Sequence, residues 1–190
     1  MKYSLFLSAL PLVLMALPLA AQDFVLFDYS AGVPQQTGWE WQSFADRVMG
    51  GKSDLITPSV VNTPDGPAWR LAGKVVTKGG GFIQVRLEKQ KGNFDASAFS
   101  GIEVSVSAEA GGSYFVFLRT KDNFFPWSYY SAPLALTGGK QTVRLPWSAF
   151  SAESTGRKTV RAESLSSVAL VAAFKDFDAD LKIYRVALYK

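Results

Sequence analysis

The chain contains neither histidine nor cysteine. That absence removes Ser-His-Asp and Cys-His nucleophilic devices, zinc sites built on imidazole or thiolate, haem with a His or Cys axial ligand, and cysteine-held iron–sulfur clusters. Chemistry would have to rest on carboxylates, lysines, tyrosines or a metal held by oxygen. Glu40, Asp46, Glu88 and Asp122 are the acids available for glycoside hydrolysis, but nothing in their spacing fixes two of them roughly 5 to 10 Å apart. Asp176, Asp178 and Asp180 alternate like calcium-loop ligands. In an EF-hand register, however, Leu181 and Ala187 stand where glycine and glutamate are needed, and a solvated turn is the plainer reading. Gly50-Gly51-Lys52-Ser53 ends like a phosphate-binding loop, yet Asp46 occupies the place of its leading glycine. The following Leu55-Ile56-Thr57-Pro58 cannot open the helix that would hold the phosphate. The expectation is a non-catalytic chain with no cofactor and no metal site.

Two other constellations point to binding or to architecture. Phe124, Phe125, Trp127, Tyr129 and Tyr130 crowd around Pro126, with Lys121, Asp122 and Asn123 beside them. Flat aromatic faces bury area at little entropic cost, so they suit a sugar ring or a protein partner, and the three polar residues would supply hydrogen bonds to hydroxyls. The alternative is that these rings cap the open end of a core.

The second constellation is Trp39 to Ser53, answered about thirty residues later by Gly79 to Arg86. Asp46, Arg47, Met49, Gly50, Gly51 and Ser53 face Gly80, Gly81, Phe82 and Arg86, with glycines beside apolar strand residues in both places. That pattern suits two neighbouring strands whose backbones approach closely. Gly50 or Gly51 is expected at positive φ, and Asp46 is expected to form a partly buried ion pair with Arg47 or Arg86 that orders the turns.

The elements that must position these residues read as strands. Gly101 to Ala108 alternates with period two, placing Ile102, Val104 and Val106 inward and Glu103, Ser105 and Ser107 outward. Tyr114 to Arg119 is apolar on both faces and therefore central. Ser53 to Thr57 is a brief strand stopped by Pro58, and Asn62 to Pro67 turns it into a hairpin with the segment from Ala68. Phe94 and Phe99 tuck under the sheet, Ser151 to Ser164 is a polar loop, and Val168 to Phe174 is a buried strand. The last run changes phase between Ile183 and Val186, which predicts a β-bulge at Tyr184-Arg185. About ten short strands between glycine, proline and asparagine turns, with no amphipathic helix, specify an all-β antiparallel sandwich of jelly-roll type.

Lys2, an apolar run from Tyr3 to Leu19 broken by Pro11 and Pro18, and the small pair Ala20-Ala21 form a signal-peptide pattern. Residues 1–21 are thus expected to be removed, leaving 22–190 as one domain without a transmembrane anchor, exported to the periplasm or secreted. The 20 basic and 16 acidic residues are interspersed, which argues against a nucleic-acid surface despite a pI near 9.3.

Asp46-Arg47-Val48-Met49-Gly50-Gly51-Lys52-Ser53, the strand from Gly73 leading into Gly80-Gly81-Phe82 and Val85-Arg86, Leu145-Pro146 with Phe150, and Gly156-Arg157 resemble the complex I intermediate-associated protein 30 family. The resemblance runs over nearly all of the chain after residue 21. It implies a galactose-binding-like jelly roll, related in shape to carbohydrate-binding modules. It further implies action through a protein partner, as an assembly factor, here in the cell envelope. Carbohydrate binding by the aromatic connection is the alternative.

Overall fold

The computed structural model describes residues 22–190; the expected signal peptide lies outside the described residues. Twelve strands form two antiparallel sheets packed face to face. The first sheet runs β3 (Asp54–Thr63), β4 (Gly66–Val75), β12 (Phe177–Tyr189), β6 (Gly101–Ser107) and β9 (Lys140–Pro146), with β1 (Phe24–Asp28) paired to the C-terminal part of β12. The second runs β10 (Ser151–Glu153), β8 (Tyr129–Leu134), β7 (Tyr114–Thr120), β11 (Leu165–Ala173), β5 (Phe82–Lys89) and β2 (Trp39–Ala45).

Period-two alternation builds the core. Ile102, Val104 and Val106 of β6 meet Leu181, Ile183, Val186 and Leu188 of β12 on one inner face, and Ile83, Val85, Leu87, Val116, Leu118, Val168 and Leu170 supply the other. The phase change in β12 is a register shift between Ile183 and Arg185, as the sequence requires. Phe94 stacks on Phe24 and leans edge-on against Trp39, so Phe94 and Phe99 close this end of the core.

Two sequence expectations are corrected. Pro58 does not end its strand: β3 continues to Thr63, and the proline sits in a register shift between Ile56 and Ser59. β3 is an edge strand, where a residue without an N–H costs no ladder bond. Glu103 and Ser105 point outward from β6 but are covered rather than solvated. Arg144, directly across on β9, and Arg185 of β12 both clamp the Glu103 carboxylate and shield that face.

The second sheet is unusual in burying apolar residues on both faces. Phe117, Ala169, Val171 and Ala173 form a separate cluster on its outer side, with Phe82, Phe115 and Tyr129 packed against it. An outer apolar cluster with no third layer over it is where a ligand or partner fits.

Candidate functional site

The floor of the site is set by the alternation of β11. Val168, Leu170 and Ala172 point into the sandwich, so Ser167, Ala169, Val171 and Ala173 point out. All four outward residues are small for a central strand, and the neighbouring strands carry larger ones. Ala169 stands between Arg86 of β5 and Phe117 of β7, and Val171 stands between Gln84 and Phe115. Small residues between large ones make a groove along the sheet. Its cavity volume is about 530 Å³, within the range of small-molecule sites.

One end of the groove is built by the Asp46 motif. A 3-10 turn at Asp46–Met49 follows β2 and ends at Gly50, whose φ of 86° is the left-handed cap expected of a glycine. Asp46 is fully buried. Its carboxylate accepts hydrogen bonds from the Ser53 N–H at 2.9 Å, the Ser53 hydroxyl at 2.9 Å and the Gly81 N–H. The Ser53 hydroxyl oxygen in turn accepts from the Val76 N–H at 3.0 Å. One carboxylate therefore ties the turn after β2 to the segment between β4 and β5.

The expected ion pair is not made. Arg47 turns outward to Asp54 at 2.7 Å, with its Nε donating to the Ser53 carbonyl. Arg86 reaches Glu88 at 2.9 Å and lies over the Phe44 ring. Three donors already satisfy Asp46 at a place where two glycines leave no volume for a guanidinium, so hydrogen bonds replace the counter-charge. By ordering this turn, Asp46 sets Met49, Gly80, Gly81 and Phe82 along the groove, with Arg86 following on β5.

The opposite wall comes from the connection between β7 and β8. Asn123 is buried and its Oδ1 accepts from the Thr120 N–H at 2.8 Å, closing the turn. Arg119, at the end of β7, donates to the carbonyls of Asn123, Phe125 and Pro126. With backbone carbonyls and Asn123 turned inward, the side chains of Phe124, Phe125 and Trp127 are left outside, while Tyr130 is buried in the core. Phe124 is 84% exposed, and Phe125 and Trp127 are exposed and stacked parallel at 5.2 Å. They do not cap the core, a task already performed by Phe94 and Phe99. Trp127 and Tyr129 line the groove, with Tyr129 stacked on Phe117 at 4.1 Å, whereas Phe124 and Phe125 stand outside it.

The polar trio predicted to serve the aromatics is placed elsewhere. Asn123 is a structural acceptor, Asp122 lies beside Arg157 and Arg161, and exposed Lys121 does not line the groove. Beside Trp127 and Tyr129, the polar side chains that line it are Gln84, Arg86, Arg119 and Ser167, of which only Arg86 was singled out by sequence. Phe44, Val48, Phe117, Ala169 and Phe174 were also missed as site residues. The available signal was the small-residue alternation Ser167, Ala169, Val171, Ala173 beside a strand apolar on both faces.

Burial, and next the Arg86 charge, draw the Arg119 guanidinium below its ordinary pKa, against an opposing pull from Glu88. Burial raises the Tyr129 hydroxyl, with Glu153 adding to the effect, so it remains a neutral phenol able to donate. None of Glu40, Asp46, Glu88 and Asp122 lines the groove. Asp176 binds Thr77 and Asp180 binds Arg70 and Lys182, so those carboxylates are committed to separate structural contacts.

Two antiparallel sheets packed face to face make the described residues a jelly-roll β-sandwich, a fold shared with solved carbohydrate-binding modules. The family 11 carbohydrate-binding module of the cellulosomal cellulase Lic26A-Cel5E of Clostridium thermocellum superposes with a TM-score of 0.67 at 13% identity, covering 90% of this chain and 95% of that one. A family 11 carbohydrate-binding module from Clostridium thermocellum in complex with a β-1,3-1,4-mixed-linked tetrasaccharide gives 0.63 at 12% identity, covering 88% and 95%. A family 30 carbohydrate-binding module gives 0.58 at 14% identity, covering 90% and 89%. No curated protein matches the chain by sequence. Residues 28–182 match the family model of complex I intermediate-associated protein 30, and the chain belongs to that family.

Proposed function

We propose that this chain is a non-catalytic carbohydrate-binding domain that takes an extended glycan in the groove over β5, β11 and β7. The observation that supports it best is the combination within one groove of a narrow small-residue floor, aromatic walls at Phe117, Trp127 and Tyr129, and hydrogen-bonding side chains at Gln84, Arg86 and Arg119. The C–H faces of a sugar ring pack on aromatic carbon, while amide and guanidinium groups at the edge take its hydroxyls. The likeness to carbohydrate-binding modules supports the same reading. The N-terminal apolar segment in the sequence supports an exported location, periplasmic or secreted, where polysaccharide is met.

The test is calorimetric titration of the 22–190 domain with a panel of soluble oligosaccharides, repeated with Trp127→Ala. Trp127 is exposed, so its truncation should move stability by no more than about 0.5 kcal/mol. Affinity should nevertheless fall about tenfold, a loss of about 1.4 kcal/mol. Equal binding by parent and variant would remove Trp127 from the site.

A second reading rests on a different observation. Val48, Met49, Phe124 and Phe125 are large, apolar and exposed around the groove. Such a rim suits a protein partner, in keeping with the association with a complex I intermediate that the family's name states. On this reading the chain is an assembly factor of the cell envelope, and cross-linking from residue 124 or 49 in native envelopes would capture one defined protein while no oligosaccharide binds.

A further inference from the structure

We infer that the groove selects an acidic saccharide, with a sugar carboxylate received between Arg86, Ser167 and Arg119. This rests on the glycan-binding reading and adds to it the charge of the ligand. Three observations converge on one corner of the groove.

The first is charge. Arg86 and Arg119 approach from the strands on either side of β11, and none of the residues lining the groove is acidic. Arg86 is near enough to disfavour the Arg119 charge, and among the described residues Glu88 is the acid in contact with either, at 2.9 Å from Arg86. Two cations against one partly exposed carboxylate leave a net positive corner.

The second is unfilled hydrogen-bonding capacity. Arg86 is only 16% exposed, and its Nε has no acceptor. Ser167 is 2% exposed, lines the groove, and its hydroxyl also has no partner. Buried polar atoms are nearly always satisfied, so two unpartnered donors on neighbouring residues that line the groove are where a ligand acceptor would be taken up. A hydroxyl oxygen could accept from both but brings no charge, whereas a carboxylate offers two oxygens to the Arg86 Nε–H and the Ser167 O–H and a full negative charge to the two guanidiniums.

The third is surroundings. Phe44 lies under the Arg86 guanidinium at 4.9 Å, and Phe117 borders Ala169 on the floor. Low-dielectric walls strengthen the attraction of a guanidinium for an anion relative to bulk water. They also demand an apolar face on the ligand, which a pyranose ring supplies and a bare inorganic anion does not.

The experiment uses a matched pair: an oligogalacturonide and the same oligosaccharide with its carboxyl groups reduced to primary alcohols, titrated into the 22–190 domain at low salt. The acid form is expected to bind at least about tenfold more tightly than its reduced twin, with the ratio shrinking as ionic strength rises. In Arg86→Gln, checked for a native unfolding midpoint, that ratio should fall toward one. Equal affinity for both forms would overturn the acidic preference and leave the glycan reading standing. Binding of neither form, nor of any neutral oligosaccharide, would overturn both. Because the matched pair is compared on the unaltered protein, the inference remains testable even if Arg86→Gln fails to fold.

Discussion

Gly51 packs so closely on Asp46 that a Cβ placed there would stand 2.1 Å from the carboxylate carbon. Gly80 closes on the same side chain from the other direction, where a Cβ would meet the Asp46 Cβ at 2.7 Å. Gly51 and Gly80 are thus spacers around a buried carboxylate, and Ser53, two residues after Gly51, is its main donor.

Replacing these residues should affect folding before binding. Asp46→Asn turns one acceptor oxygen into a donor facing either Ser53 or Gly81, leaving buried N–H or O–H groups unpaired at a cost of about 2–4 kcal/mol. Gly51→Ala forces the carboxylate aside and should cost a similar amount, roughly 2–4 kcal/mol. Gly50→Ala meets open space and suffers only from its φ of 86°, about 1 kcal/mol. Urea unfolding with a constant m-value would show this ranking, and an Asp46→Asn midpoint equal to the parent's would contradict the role given to Asp46.

The sandwich architecture and the β12 bulge could be read from sequence because they depend on period-two alternation and turn residues, which are local, whereas the reading of about ten strands misses β10 (Ser151–Glu153), three residues too short to show a period. The association of Asp46, Ser53, Gly80 and Gly81 could also be read, since the glycines mark a close approach. The partner of Asp46 could not, because choosing between a guanidinium and three N–H or O–H donors depends on the space left after folding. Phe124, Phe125 and Trp127 were recognised as a cluster, but whether they faced in or out depended on Arg119, which binds the carbonyls behind them. Ala169 was legible only as part of the buried strand from Val168 and Ser167 lay outside that reading, because their importance lies in what stands on β5 and β7 beside them.

Arg119 should act as the staple of the aromatic connection. Its guanidinium spans three carbonyls, a geometry that the single ammonium of lysine cannot reproduce. In Arg119→Lys, the Ser128 N–H, now bonded to the Phe125 carbonyl, should exchange with solvent at least about tenfold faster, while β6 and β12 keep their protection. Uniform loss of protection over all strands would instead mean that Arg119 supports the whole sandwich.

Stability should fall at acid pH through identifiable carboxylates. Hydrogen bonds from the Thr77 hydroxyl and then its N–H hold the Asp176 carboxyl below its ordinary value. Burial alone would raise Asp180, but hydrogen bonds and charges from Arg70 and Lys182 outweigh it and the net shift is also downward. A carboxyl with a lower pKa in the folded state binds fewer protons there than in the unfolded chain, so stability rises with pH. Its contribution is complete above the unfolded carboxylate range and is lost as pH falls below about 4 toward the folded value. Urea midpoints measured between pH 7 and pH 3 should therefore stay level and then drop, and Asp176→Asn with Asp180→Asn should reduce the drop. An undiminished acid slope in that double variant would place the acid sensitivity in other groups.

Phe174 follows the last residue of β11 and holds φ at 63°, a left-handed conformation that costs a bulky residue about 1 kcal/mol or more. Its ring is 60% exposed at the rim of the groove, edge-on to Phe115 at 5.1 Å, so packing returns only part of that cost. A strained, exposed aromatic beside a groove is better explained by ligand contact than by stability. Phe174→Asn keeps the N–H that bonds the Gly81 carbonyl and tolerates the left-handed region. The variant should match or exceed the parent's stability, by up to about 1 kcal/mol, while on the proposed glycan reading its affinity for an oligosaccharide that titrates the parent falls several-fold. Thermal unfolding and calorimetry on the same preparation would show the two quantities moving in opposite directions. A variant that is clearly less stable and binds as well as the parent would make Phe174 a packing residue.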